Sequence, residues 1–266
     1  KAADEKTAEA MLAPVVKETT EFLGDIVYGV DVTSLEAVCM AHLKEKGWTF
    51  ATAESCTGGQ IAARITALSG ASSVYRGGVV SYWTDVKAGV LGVPRELLDT
   101  YGAVSEPCAR SMAENARRIT GADIGLSVTG VAGPDADERG NPVGLVYAGL
   151  ASPEGTFCRK LELGNRRRDR IQDLSANHAF DMLRRCLTGL PVEQAEKKTA
   201  LWKTPDTEYR ITFANGLLYR VQQLKNKLRL WSSDMDFLLE YTLSKENQER
   251  LNERTQFEIL RQQSGK

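Results

Sequence analysis

A strand-like run, Trp48–Ala53, ends in Glu54-Ser55-Cys56-Thr57-Gly58-Gly59, and a helix-like run, Gln60–Leu68, follows at once. Backbone N–H groups at a helix start have no partner inside the helix and stabilise an anion, whether a phosphate or a tetrahedral oxyanion. Two glycines let a ligand approach the backbone closely. Ser55 or Thr57 at such a turn is a candidate nucleophile, although either also serves there as a plain helix cap. Cys56 as a thiolate would be the stronger nucleophile, but it needs a base, normally histidine. The chain has only His42 and His178, both in helix-like stretches, so Cys56 reads as a small buried residue and a Ser-His-Asp triad finds no obvious histidine.

A lysine can replace the missing histidine. In Ser81-Tyr82-Trp83-Thr84-Asp85-Val86-Lys87 a strand-like run ends at Tyr82–Trp83, Thr84 can cap a helix, and Lys87 falls in its first turn. The helix dipole disfavours positive charge there, and partial burial would push the amine further towards neutrality. A neutral lysine serves as general base for a serine. Tyr82 lies where it could relay or share the proton. An isolated lysine is otherwise a solvated surface residue.

Two further segments could bind rather than react. Thr129-Gly130-Val131-Ala132-Gly133-Pro134-Asp135 follows a buried-strand run, Ile124–Val128, and can line a pocket at the strand's carboxyl end or act as a structural loop. It is neither G-x-G-x-x-G nor a Walker loop. Gly164-Asn165-Arg166-Arg167-Arg168-Asp169-Arg170 offers guanidinium forks suited to phosphate, or a solvated charged face before a helix.

The elements that must position these residues alternate. Strand-like runs at 48–53, 78–83 and 124–128, then paired runs at 143–151 and 156–163, are separated by helix-like runs at 31–47, 60–68, 85–91, 105–119 and 168–187. Ser105-Glu106-Pro107 is a helix start, with a capping serine, an early acid and an early proline. Such alternation predicts an α/β layered sheet covered by helices. Residues 1–23 read as a helix weakened or kinked at Pro14. Beyond Gly189–Pro191, residues 193–215 are polar and irregular. Leu217, Val221, Leu224 and Leu228 share a helical face ending near Trp231, and a second helix is expected from Asp234 to about Leu260. The reading is therefore a helical C-terminal appendage whose apolar stripe needs a partner.

Composition bounds the rest. The chain has 266 residues, 42% hydrophobic and 26% charged, with a formal net charge of -1, so no global field draws it to nucleic acid or an anionic membrane. No apolar run approaches the ~20 residues of a membrane span. Five cysteines without C-x-x-C spacing argue against a disulfide framework or a cysteine-rich zinc site and fit a reducing compartment. No metal or organic cofactor is expected, and the expected location is cytoplasmic.

Taken in order, AESCTGG (53–59), YRGGVVSY (75–82) with Lys87 beyond it, GAVSEP (102–107), VTGVAGPD (128–135) and PVGLVYAGL (142–150) resemble the CinA C-terminal family, also called the PncC-like nicotinamide-nucleotide amidases. The resemblance implies a three-layer α/β/α sandwich over residues 33–192. It implies hydrolysis of the carboxamide of nicotinamide mononucleotide, giving nicotinate mononucleotide and ammonia. The family's catalytic serine, tyrosine and lysine fall on Ser55, Tyr82 and Lys87. Substrate contacts are expected from Cys56, Thr57, Gly58, Gly59, Thr129 and Gly130, with Arg166 and Arg170 on the phosphate. Asn165 stands where the family usually has aspartate, Trp83-Thr84 where it has Ser-Asn, and Ala136 where it has a second glycine. These departures spare the trio and bear on substrate preference. Residues 1–32 resemble the end of a connecting module, so the chain is expected to be a piece of a longer protein. In full-length relatives a domain similar to molybdopterin-binding proteins, linked to ADP-ribose pyrophosphatase activity, comes first.

The expected partner is a small pyridine nucleotide, with no nucleic acid and no membrane, in a homo-oligomer. The alternative is a catalytically idle nucleotide-binding or regulatory module, with residues 193–266 as an interaction surface.

Overall fold

The computed structural model of the chain describes residues 4–193 and, by backbone, five strands between 199 and 242. The chain forms two compact units, Leu35–Gln194 and, separately, Lys1–Ser34 with Ala195–Lys266. In the latter, α1 (Glu5–Leu23) is capped by Asp4, whose carboxylate accepts from the Thr7 amide at 2.8 Å. Pro14 lies inside α1 without ending it. Leu12, Val15, Thr19 and Leu23 recur at three- and four-residue steps as one buried face. The short strand β1 (Val27–Val30) follows.

The unit Leu35–Gln194 begins with α2 (Leu35–Lys46), β2 (Phe50–Glu54), α3 (Gln60–Thr66), β3 (Tyr75–Val80) and α4 (Thr84–Gly89). It continues with α5 (Arg95–Tyr101), α6 (Glu106–Thr120), β4 (Ile124–Gly130), β5 (Leu145–Ser152), β6 (Gly155–Glu162) and α7 (Arg168–Thr188). The sheet order is β3-β2-β4-β5-β6, with β3, β2 and β4 parallel and β5 and β6 antiparallel additions. Central β2 is buried at every position, whereas edge β3 alternates between half-buried and exposed residues. The chain leaves β2 for β3 through α3 and returns past β2 to β4 through α6, so a crevice opens at the carboxyl end of β2. This is the helix-covered α/β sheet that the alternation predicts and the α/β/α sandwich that the resemblance implies.

Glycine lets α6 sit close on the sheet. Ser105 caps α6 as expected, accepting from the Cys108 amide at 3.3 Å. A Cβ built on Gly125 would overlap the Ala113 carbonyl oxygen, and one on Gly149 would lie 2.6 Å from that of Ala109. The obstacles are helix backbone and cannot turn aside. Gly125→Ala is therefore expected to cost about 1–3 kcal/mol, read as a lower urea midpoint at unchanged slope.

On the other side, α7 is buried along nearly all of its second half. Asp181 there accepts from Arg159 of β6 at 3.0 Å, Arg184 at 2.7 Å and Arg185 at 3.2 Å, all four side chains being buried. His178 lies 3.3 Å from the Arg159 guanidinium, and burial followed by that positive neighbour pushes its imidazole down to about 3. No helix among the described residues is long and apolar enough to cross a membrane.

The C-terminal appendage differs from expectation. Residues read as one helix up to Trp231 form β9 (Tyr219–Leu224) and β10 (Lys227–Ser232), paired antiparallel, and β11 (Phe237–Thr242) continues the sheet where a second helix was expected. Upstream, β7 (Thr199–Lys203) and β8 (Glu208–Thr212) form a hairpin in the stretch read as irregular. Strand β1 pairs in parallel with β9, so the segment before residue 33 and the extension share one sheet. The leucine spacing fits a helix, but Tyr219, Val221, Leu228 and Leu230 also alternate. Aromatic and β-branched residues favour pairing once a partner strand is available. The remainder of the expected second helix, beyond Thr242, lies outside the described residues.

Candidate active site

Strand β2 delivers the residues after it to the crevice. Glu54, fully buried at its end, turns back under α3: one carboxylate oxygen accepts from the amides of Gly59 and Ile61, each at 3.1 Å, and the other from Ala62 at 2.9 Å. A carboxylate thus satisfies the first-turn donors that a helix leaves open. The chain reaches α3 through Gly58 (φ 63°) and Gly59 (φ 97°), left-handed conformations that favour glycine. The amides of Gly59, Ile61 and Ala62 at the start of α3 are thus taken by a protein carboxylate. The Gly59 amide belongs to Glu54, and the Gly58 amide donates to the Ser55 carbonyl at 3.0 Å. The Ser55 amide donates to Val128 O at 2.9 Å. Among the described residues, the Thr57 amide in this turn donates to no carbonyl or side-chain acceptor, and the Cys56 amide faces only its own thiol. The Thr57 hydroxyl is buried and also unpartnered.

Ser55 and Lys87, distant in sequence, meet here. The Lys87 Nζ donates to Ser55 Oγ at 2.8 Å and to the Ser81 carbonyl at 2.6 Å. Lys87 is 1% exposed and Ser55 8%. Burial drives the Lys87 amine below its ordinary 10.5, outweighing the neighbouring Cys108 and Cys56 thiols, which would raise it. Helix α4 is only six residues long, so desolvation rather than a helix dipole supplies the shift. Trp83, not Thr84, occupies the cap position, without a side-chain bond. Burial pushes the Cys56 thiol up to about 12 despite the Lys87 charge, leaving a neutral thiol and not a nucleophile.

Tyr82 stands apart from this pair. It is 53% exposed, and its phenol oxygen accepts from Arg168 at 2.6 Å, making no bond to Ser55 or Lys87. A direct proton relay through Tyr82 is therefore not what the side chains display. Arg168 also donates to the Gly133 carbonyl at 2.6 Å, tying the 129–135 loop to Tyr82 across the crevice. Of the arginines singled out by sequence, Arg166 is exposed and donates to Leu163 O at 2.9 Å, while Arg170 is half-buried in the first turn of α7. Arg168 was passed over because the family pattern favoured its neighbours, although α7 phasing could have indicated it.

Thr129 is fully buried and its hydroxyl donates to Ala103 O at 2.6 Å, a protein contact and not a free ligand contact. Gly130 allows close approach to β5, since a Cβ there would lie 2.7 Å from the Leu145 carbonyl oxygen. Two residues not anticipated also touch the turn: Glu54 from below, and Gln172 of α7, which donates to the Cys56 carbonyl at 2.8 Å. A carboxylate closing a mostly apolar strand was the available signal for Glu54, because it must find donors. No group of three or more His, Cys, Asp or Glu side chains among the described residues could hold a metal ion.

Comparison with known proteins places the chain in a family. Residues 32–187 match the family model of the CinA C-terminal domain. A putative competence-damage inducible protein of Caldanaerobacter subterraneus is 47% identical over 189 residues, covering 71% of this chain and 46% of that protein. A CinA-like protein of Desulfovibrio desulfuricans is 47% identical over 195 residues, covering 73% and 46%. The chain thus spans about half the length of the curated relatives it matches. A CinA superfamily protein of Klebsiella pneumoniae superposes with a TM-score of 0.57 at 30% identity, over 58% of this chain and 96% of that one. The competence/damage inducible protein CihA of Agrobacterium tumefaciens gives 0.55 at 34% identity, over 60% and 99%. With a family match over more than half its length and relatives at this identity, the chain belongs to the CinA C-terminal domain family.

Proposed function

We propose that this domain is a serine-lysine amidase that deamidates nicotinamide mononucleotide. The observation that carries the reading is the buried 2.8 Å contact between Lys87 Nζ and Ser55 Oγ. Lys87 in its neutral form, which burial favours, takes the hydroxyl proton as Ser55 attacks the carboxamide carbon. The amides of Cys56 and Thr57 receive the oxyanion. Lys87 returns the proton to the departing nitrogen, ammonia leaves, and water hydrolyses the acyl-enzyme to nicotinate mononucleotide. The arginines opening α7 supply the positive charge for a phosphate, Arg168 at the crevice and Arg166 and Arg170 beside it. The substrate assignment rests on family resemblance together with this charge.

The test is ammonia release from the mononucleotide, its riboside and free nicotinamide. Turnover of the mononucleotide well above the other two is expected. Equal turnover of all three would remove the phosphate-reading role. A second reading, an idle nucleotide-binding module, draws on Trp83, 72% exposed beside Tyr82, and on Asn165. Calorimetric binding of the mononucleotide without ammonia release would favour it.

A further inference from the structure

We propose that Gln172 is a positioning residue for the Ser55 centre: by holding the Cys56 carbonyl, it aims the Thr57 N–H at the oxyanion. The proposal rests on the acyl-transfer reading above but not on which amide is the substrate. The Gln172 side-chain amide donates to Cys56 O at 2.8 Å. That carbonyl and the Thr57 N–H belong to one planar trans peptide, so they point in opposite directions. A donor that fixes the carbonyl towards α7 therefore fixes the N–H away from α7.

The side away from α7 is where the chemistry lies. Ala53, two residues before Ser55 on β2, packs with Cys108, Met112 and Ala116 of α6, and the adjoining α4 carries Lys87. Ser55, the residue after β2, turns to that same side, where Lys87 of α4 reaches its hydroxyl at 2.8 Å. The peptide also needs an external anchor. It sits in a turn, just before two glycines in left-handed conformations, and the Ser55, Gly58 and Gly59 amides are already committed.

Helix α7 is suited to be that anchor. It has 21 residues and a deeply buried second half. Gln172 lies one turn beyond Arg168, on the same face, so a single rigid rod touches Tyr82, Gly133 and Cys56. The next residue, Asp173, accepts from Gln60 at the first position of α3, so α7 grips both ends of the nucleophile turn. A second observation points to a ligand at this spot: the buried Thr57 hydroxyl, on the residue whose amide is being aimed, has no protein partner.

Gln172→Met and Gln172→Glu both remove the donor while keeping similar length, and Gln172 is only half-buried, so both chains should fold. In each, kcat for ammonia release is expected to fall roughly 10- to 100-fold with KM unchanged, and in Gln172→Met, which adds no charge, the pH midpoint of kcat is unchanged as well. The rate at which a fluorophosphonate labels Ser55 should fall by a similar factor, with Ser55→Ala as the blank. A wild-type chain that labels but releases no ammonia would retire the substrate assignment and leave Gln172 to be judged on labelling rates alone. A folded variant that labels at the wild-type rate, or a loss confined to KM, overturns the proposal. A wild-type chain that neither labels at Ser55 nor releases ammonia overturns it together with the amidase reading.

Discussion

Ser55→Ala and Lys87→Met are each expected to lower kcat for ammonia release by on the order of 10⁴- to 10⁶-fold, and the double variant by no more than the worse single one. Nucleophile and base act as a unit. Once the hydroxyl is gone, a base has nothing to activate, and without a base the hydroxyl keeps its proton. The two single variants separate on stability. Burial lowers the Lys87 amine below 10.5 in the folded chain, so folding carries a penalty wherever the amine is charged. Between the lowered value and 10.5 the unfolded chain binds more protons, and stability rises with pH across that window. Lys87→Met removes the penalty and should melt higher than wild type at neutral pH while being inactive. For the same reason the wild-type kcat should rise with pH to a plateau reached below 10.5, as the amine becomes neutral. A Lys87→Met chain with near-normal turnover would exclude lysine as the base.

Asp181→Ala is expected to cost about 3–5 kcal/mol, because it removes the carboxylate shared by three buried guanidiniums. Burial alone would raise the Asp181 carboxyl, but Arg159, Arg184 and Arg185 outweigh it and hold the group below 3.8. Its contribution is therefore present above 3.8 and lost as pH falls through the lowered value. His178 adds to acid sensitivity. Its imidazole titrates at about 3 when folded against 6.5 ordinarily, so the unfolded state takes the proton first and stability declines as pH falls from 6.5 towards 3. Urea midpoints of wild type and Asp181→Ala from about pH 7 down to about pH 2 check both statements. An unchanged midpoint at pH 7 would mean that the guanidiniums are satisfied without Asp181.

The strand-turn-helix around Ser55 was legible because local signals agree there: an apolar strand, small polar residues and two glycines. The cap on α6 was legible for the same reason, in Ser105-Glu106-Pro107. The burial of Lys87 was not legible from a lone lysine, since desolvation is set by α6 and the sheet packing over it. Its place just after a strand end and at a helix start made Lys87 a candidate base, and the family resemblance then weighed for that role over a solvated surface lysine. Glu54 was missed because its carboxylate reaches forward five to eight residues to backbone amides, a contact with no side-chain spacing to read. Arg168 and Gln172 were missed because the arginine run was read as a linear pattern, whereas α7 phasing sets which residues face the crevice. The strands between 219 and 242 were misread because Leu217, Val221, Leu224 and Leu228 fit a helical step, while the deciding partners, β1 among them, lie far along the chain.

A neutral amine has two hydrogens and one lone pair, and the Ser81 carbonyl beside Lys87 claims one of the hydrogens. That leaves rotation about the last carbon–nitrogen bond little freedom, so the lone pair can be presented to the serine rather than sampled at random. The same carbonyl dipole is already aligned when the amine becomes an ammonium, and it shields the new charge without any rearrangement of solvent.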